Sequence, residues 1–383
     1  MKPLAKLCLA AALALPATTA LADLHLGVIL SQTGPGASLG IPARHTVDLW
    51  PREIAGQKLN ITVLDDRSDP TVAATAARQL IEDRKVDIII GPSITPTSLS
   101  ALQAAGEAKT PIFTLAGGKS IVEPLEGART WAFKMPPDEA IPVKLILQHM
   151  QKNGQKRLAT VAVANSYGQV FVDVMRAMAP EFGVEIVGAE SFNPTDTSFV
   201  AQALKLLAAR PDAIFIAAVG TPGAMPHVEL VQRGFKGQIY QTQAIANNDF
   251  LRIGGKALDG ALFPVSPLLV AEQLPDGNPV KAAAVDYVQR YENAHGPGSR
   301  SLFGAMAWDA MAFVEHAVPQ ALAKAQPGTS AFREALRDAI EQTQELVVSQ
   351  GVYSLSPTNH NGADERSQVM VRIHGGGWQY AGE

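Results

Sequence analysis

"DIIIGPSITPTSLSAL", residues 87–102, reads as a buried strand that runs through a polar turn straight into a helix. Asp87 to Ile90 supply the strand, and Gly91-Pro92 stop it. Thr95 stands where a helix N-cap belongs and Pro96 where a first helical residue belongs, with Leu99, Leu102 and Ala105 following at helical spacing. Free backbone N–H groups and hydroxyls at such a helix start form an anion site.

The same strand-to-helix alternation extends in both directions from this stretch. Strands read at Leu24–Leu30, Leu59–Leu64, Val86–Ile90 and Pro111–Leu115, with helical spacing near 40–50, 71–84 and 96–108. A second series places strands at Arg157–Val163, Val184–Ala189, Asp212–Ala218 and Gln238–Thr242, and helices near 139–152, 169–181, 197–209 and 223–233. Short apolar runs between helices mark parallel sheets covered on both faces. Two such series predict an α/β protein of two doubly wound lobes, with ligand sites at the carboxyl ends of the strands. The remaining chain adds helices at Pro279–Asn293, Leu302–Lys324 and Ala331–Gln342, and a strand at Val369–Ile373.

The beginning of the chain is not fold. Lys2 and Lys6 precede an apolar run, Leu7 to Pro16, and Ala20-Leu21-Ala22 is an A-x-A cleavage signal. Residues 1–22 therefore read as a secretory signal peptide, and the apolar run is shorter than the ~20 residues of a spanning helix. The single cysteine, Cys8, lies within it and lacks the small-residue setting of a lipoprotein site. The mature chain is expected from Asp23, periplasmic, without direct membrane insertion. Without Lys2 and Lys6 the basic residues number 30 against 36 acidic, and no basic block stands out, so nucleic acid is not an expected partner.

Several patterns point to catalysis and fail on context. "GGKS" at 117–120 lacks the leading glycine of a phosphate loop, since Phe113 holds that position. "GASLG" at 36–40 matches a nucleophile elbow around Ser38, and "HGGG" at 374–377 an oxyanion tetrad. The elbow is separated from its strand by Ser31 to Pro35, and the tetrad follows the nucleophile instead of preceding it. The eight histidines never pair at i, i+4, so no metal is expected. In "LDDRSDP" (64–70), Asp69 and Pro70 read as the start of a helix. "ANSYGQ" (164–169) puts Tyr167 at a strand tip, either covering a helix end or facing a ligand.

Taken in order, "GVILSQTGPGASLG" (27–40), "LDDRSDP", "IIGPSITP" (89–96), "TPIFTLAGG" (110–118), "WAFKMPPDE" (131–139), "VANSYGQ" (163–169) and "GVYSLSPTNHNG" (351–362) resemble the type 1 periplasmic solute-binding proteins of ABC transporters, in the leucine/isoleucine/valine-binding branch. The resemblance spans essentially the whole mature chain. It implies two α/β lobes joined by three crossovers near Pro136, Pro264 and Ser349. Lobe 1 then takes 23–136 and 265–349, and lobe 2 takes 137–264 and 350–383. It also implies a monomer that hands a small molecule to inner-membrane permease subunits, without cofactor, metal or catalysis.

By the same resemblance, Thr95 supplies a carboxylate-binding hydroxyl, Ser93 backbone, and Ala116 a carbonyl for a ligand ammonium. Gly117 and Gly118 complete the second carboxylate turn, where Gly118 has only its N–H in place of a second hydroxyl. Tyr167 and Phe303 keep aromatic positions. Three positions depart from the amino-acid binders: Gln243 replaces the acid that faces the ammonium, Leu39 a covering tyrosine, and Val219 a second tyrosine. The expected ligand is a small carboxylate with an apolar or aromatic body. A branched-chain or other amino acid remains the alternative, with Asp138 or Asp249 taking the ammonium. A ligand-sensing receptor and a hydrolase built on Ser38 are the other readings.

Overall fold

The computed structural model describes residues 22–382, so the signal-peptide reading falls almost wholly outside the described residues. The first sheet has six strands: β1 (Leu24–Leu30), β2 (Glu53–Ile54), β3 (Gln57–Asp65), β4 (Ile88–Ile90), β5 (Ile112–Thr114) and β6 (Ala132–Lys134). Their order is β2-β3-β1-β4-β5-β6, parallel except for the β2–β3 hairpin. Helices α1 (Ala37–Val47), α2 (Pro70–Glu82) and α3 (Thr95–Glu107) connect them. β1 and β4 are almost wholly apolar and buried, as a strand covered on both faces must be.

The second sheet takes β7 (Arg157–Val163), β8 (Glu185–Phe192), β9 (Ala213–Ala217), β10 (Gln238–Gln241), β11 (Leu262–Val265), β14 (Val369–His374) and β15 (Gly377–Tyr380). Their order is β15-β14-β11-β10-β9-β7-β8, with β14 and β15 antiparallel. Helices α4 (Ala140–Lys152), α5 (Ser166–Met178), α6 (Val200–Ala208), α7 (Ala224–Gln232) and the short α8 (Asn248–Gly254) belong to this series. The late helices α9 (Lys281–His295), α10 (Leu302–Leu322) and α11 (Ser330–Glu341) return to the first sheet's side, where α10 packs on both α1 and α11. A two-stranded ribbon, β12 (Leu346–Val348) and β13 (Gly351–Tyr353), precedes the last passage to β14.

The passages between the two sheets are stitched by buried polar groups. Asn361 Nδ2 donates to the carbonyls of Lys134 (3.0 Å) and Pro136 (2.6 Å), and the Tyr353 hydroxyl donates to Met135 O at 2.9 Å. Asp309 of α10 accepts the backbone N–H groups of Ser349 and Gln350 at 2.9 and 3.0 Å. Burial pushes the Asp309 carboxyl up to about 7 against those two donors. Lys134 and Glu139, each 1% exposed, face one another at 3.5 Å. Lys134 Nζ also donates to Gly117 O (2.8 Å) and Pro137 O (3.0 Å), while Glu139 Oε1 accepts Lys119 N–H at 2.7 Å.

Two helix starts differ from their sequence reading. Ile94, not Thr95, has the extended cap geometry, so Thr95 is the first helical residue and Pro96 the second. The Thr95 side chain is turned away from its own helix and bonds Gly118 instead. α5 begins earlier than expected because the Asn165 side chain caps it, accepting Tyr167 and Gly168 N–H. Tyr167 thus sits in a helix's first turn and not on a strand tip. Asp69 and Pro70 do start α2, the Asp69 carboxylate accepting Thr71 and Val72 N–H.

Candidate functional site: a cleft at the strand ends

The carboxyl ends of both sheets face a narrow cleft. From the first sheet's side come Leu39 of α1, the β4–α3 turn (Ser93, Ile94, Thr95), the segment after β5 (Leu115, Ala116, Gly117), and Phe303 and Met306 of α10. From the second come Tyr167, Val219, Gln243 and Ala244, with Pro136 on the chain between. Nine of the ten residues singled out from the sequence line this space. Gly118 stands behind it, its N–H donated to Thr95 Oγ1 at 3.1 Å.

That bond defines the chemistry of the turn. Thr95 Oγ1 accepts from Gly118, so its own hydroxyl hydrogen is free to donate. The first hydrogen bond of α3 runs from Ser98 N to Ile94 O, which leaves the N–H groups of Thr95 and Thr97 unused by the helix. Gly118 cannot carry a side chain here, because a Cβ would fall onto Thr95. The Gly118 N–H, expected to serve a ligand carboxylate, is instead engaged by Thr95 Oγ1. Ser93 Oγ accepts Ser31 N–H at 3.2 Å, which pins the turn to the end of β1.

Across the cleft, the Tyr167 ring approaches Gly117 so closely that a Cβ there would lie 3.1 Å from Cε2. Its hydroxyl, beside Thr242, is buried without a hydrogen-bond partner. Burial raises the phenol well above its ordinary value, so it remains a protonated donor. Gln243 is buried, and its Oε1 accepts Gln368 Nε2 at 3.1 Å. No lining side chain is charged. Asp138 and Asp249, the candidate replacements for the missing acid, are not among the lining residues. Asp138 accepts Ala140 N–H and pairs with Lys119, and Asp249 pairs with Arg252.

Reading the sequence missed Ile94, Leu115, Pro136, Ala244 and Met306 as lining residues. Ile94, Leu115 and Ala244 neighbour positions already singled out, Pro136 was named only as a crossover, and Met306 lies one helical turn beyond Phe303, a spacing that could have revealed it. Of the hydrolase pattern, Ser38 lies in α1 and its Oγ has no hydrogen-bond partner among the described residues. The HGGG stretch is the β14–β15 turn, with Gly375 N–H donated to Asp259 Oδ1 at 2.8 Å. Among the described residues no group of three or more His, Cys, Asp or Glu is placed to hold a metal ion, and no helix is long and apolar enough to cross a membrane.

A family profile described as periplasmic binding protein matches residues 23–372. An extracellular ligand-binding receptor from Rhodopseudomonas palustris HaA2 is 40% identical, with a TM-score of 0.90 over 94% of this chain and 99% of that one. A Leu/Ile/Val-binding protein homolog 1 from Brucella melitensis is 24% identical over 335 residues, 84% of this chain and 86% of its own. A solute binding protein of an ABC transporter from R. palustris BisB5, solved with 3,4-dihydroxy benzoic acid, shares the fold at 21% identity and a TM-score of 0.77, over 94% and 98% of the two chains.

Proposed function

This chain belongs to the periplasmic binding proteins, and from that premise we propose that it is the ligand-capturing subunit of an ABC importer, closing on a small organic carboxylate with an apolar or aromatic body. The observation that carries this reading is the polarity of the cleft. Its polar groups at the β4–α3 turn are donors, it has no charged side chain, and Leu39, Ile94, Leu115, Val219, Phe303 and Met306 offer an apolar surround. A carboxylate would take the Thr95 hydroxyl and the free N–H groups of α3, with the helix dipole behind them. The lobes we assign are 23–136 with 265–349 and 137–264 with 350–383. The protein works in the periplasm as a monomer and delivers its ligand to inner-membrane permease subunits.

A branched-chain amino acid is the second reading, favoured by the Leu/Ile/Val-binding name of the Brucella relative. An amino acid would keep the same carboxylate contacts and place its ammonium toward Ala116 O and Gln243. A thermal-shift screen over amino acids, aromatic acids and aliphatic acids separates the two. A ligand at 100 times its Kd raises stability by ~2.7 kcal/mol.

Thr95→Val tests the carboxylate contact in either case. The substitution keeps the shape and removes a hydroxyl that donates to a charged group, so affinity should fall about ten- to a hundredfold. Calorimetry showing unchanged affinity would move the carboxylate elsewhere. Closure has its own measurement. Small-angle scattering with the ligand found in the screen should give a smaller radius of gyration than the free protein, as hinged lobes require. An identical profile at saturation contradicts it.

A further inference from the structure

Gln243 reaches the cleft from the turn after β10, and its partner Gln368 comes from the turn before β14, 125 residues away. Gln368 does not line the cavity. Its Nε2 donates both to Ser367 O at 2.8 Å and to Gln243 Oε1 at 3.1 Å. The first of these bonds fixes the sense of the second. A backbone carbonyl only accepts, so the end of Gln368 that faces Ser367 must be the NH2. That NH2 has a second hydrogen, which only an acceptor on Gln243 can take. Gln368 Oε1 is buried without a donor, so nothing in the structure holds the amide the other way round. The Gln243 nitrogen is thereby turned away from Gln368, on a side chain that lines the cleft.

We infer that Gln368 is a positioning residue for ligand selection: it locks the Gln243 amide with its NH2 toward the cleft, so that the site requires a hydrogen-bond acceptor opposite it. An oxygen of a carboxylate, carbonyl or hydroxyl satisfies that donor. An ammonium meets donor against donor. The inference rests on the reading of the cleft as a carboxylate site and sharpens it to acids that carry no amino group at this position. Both glutamines belong to the same assigned lobe, so the lock is present whether the cleft is open or closed.

The test has two arms. A neutron structure of the unliganded wild-type protein should place deuterons on the Gln368 atom facing Gln243 and on the Gln243 atom facing the cleft. Deuterons on Gln243 directed at Gln368 overturn the inference, whatever the ligand is. The second arm is calorimetry with leucine and 4-methylpentanoate, and with phenylalanine and 3-phenylpropanoate, on wild type and on Gln368→Met. Methionine keeps the length and removes the donor, so Gln243 becomes free to turn its oxygen to the ligand. The preference for the deaminated acid should then fall about tenfold or more. An unchanged preference in the folded variant overturns the role given to Gln368. A wild type that favours the amino acids overturns the acid reading instead, and the neutron arm still decides the orientation of the pair. Should Gln368→Met fail to fold, the neutron arm stands on the wild type alone.

Discussion

Lys134→Met should destabilise the protein by about 3–5 kcal/mol, the cost of removing one partner from a buried ion pair. Lys134 and Glu139 are each 1% exposed, so water cannot replace the lost ammonium. The substitution strips Glu139 of its counter-charge and leaves Gly117 O and Pro137 O without their donor. Burial already pushes the Glu139 carboxyl above its ordinary value, with Lys134 pulling it back down. Without the lysine the folded-state value rises further. A carboxyl whose folded value lies above its unfolded one stabilises below the unfolded value, and that stability is lost as pH rises through the folded one. The deficit of the variant should therefore be smaller near pH 5 than near pH 8. Glu139→Gln added to Lys134→Met removes the stranded charge yet keeps an acceptor for Lys119 N–H, so it should recover a large part of the loss. Urea melts at the two pH values measure all of this. A single variant within 1 kcal/mol of wild type would show that the pair does not hold the crossing together. Because Lys134 also holds Gly117 from beneath, the same variant should weaken ligand binding at temperatures where it stays folded.

Gln243→Glu should reverse the ligand preference of the cleft. The new carboxylate can keep the bond that Gln368 Nε2 donates to position 243 at 3.1 Å, which leaves its second oxygen directed at the ligand. For an amino acid this adds a charge-assisted hydrogen bond to the ammonium. For a deaminated acid it removes a donor and adds desolvation and like-charge repulsion. The ratio of affinities for leucine and 4-methylpentanoate should shift toward leucine by about a hundredfold, since a bond to a charged group alone contributes ten- to a hundredfold. Calorimetry on this pair decides it. A constant ratio would mean that position 243 does not face the ligand's α-carbon, and the selectivity assigned to the cleft would fall with it. The contrast with Gln368→Met is useful: one variant changes the group that faces the ligand, the other only its orientation.

Much of this was written locally. β1, β4 and β9 are short apolar runs buried on both faces, and such runs, separated by helical spacing, leave little but a doubly wound sheet. That topology points to the turns at the carboxyl ends of the strands. The individual residues Ser93, Ala116, Val219 and Gln243 were named through the family resemblance and Tyr167 from its place after β7, and all five line one cleft. Even Asp69 and Pro70 were legible as a helix start, since a cap is made within three residues of chain.

What only the tertiary structure decided is the direction in which those groups act. Thr95 looked like a cap but is a partner of Gly118, and a pairing across 23 residues has no local signature. Lys134, within the WAFKMPPDE stretch, proves to be fully buried beneath Gly117, against a glutamate on the next element. The resemblance led us to expect Gln243 as an uncharged substitute for an acid. Whether it offers the ligand an oxygen or a nitrogen depends on Gln368, and through it on the carbonyl of Ser367. Burial periodicity is encoded in neighbouring residues because strands and helices repeat over a few positions. The sense of a hydrogen bond and the pairing of a buried charge are set by atoms brought together from distant parts of the chain, and no repeat in the sequence carries them.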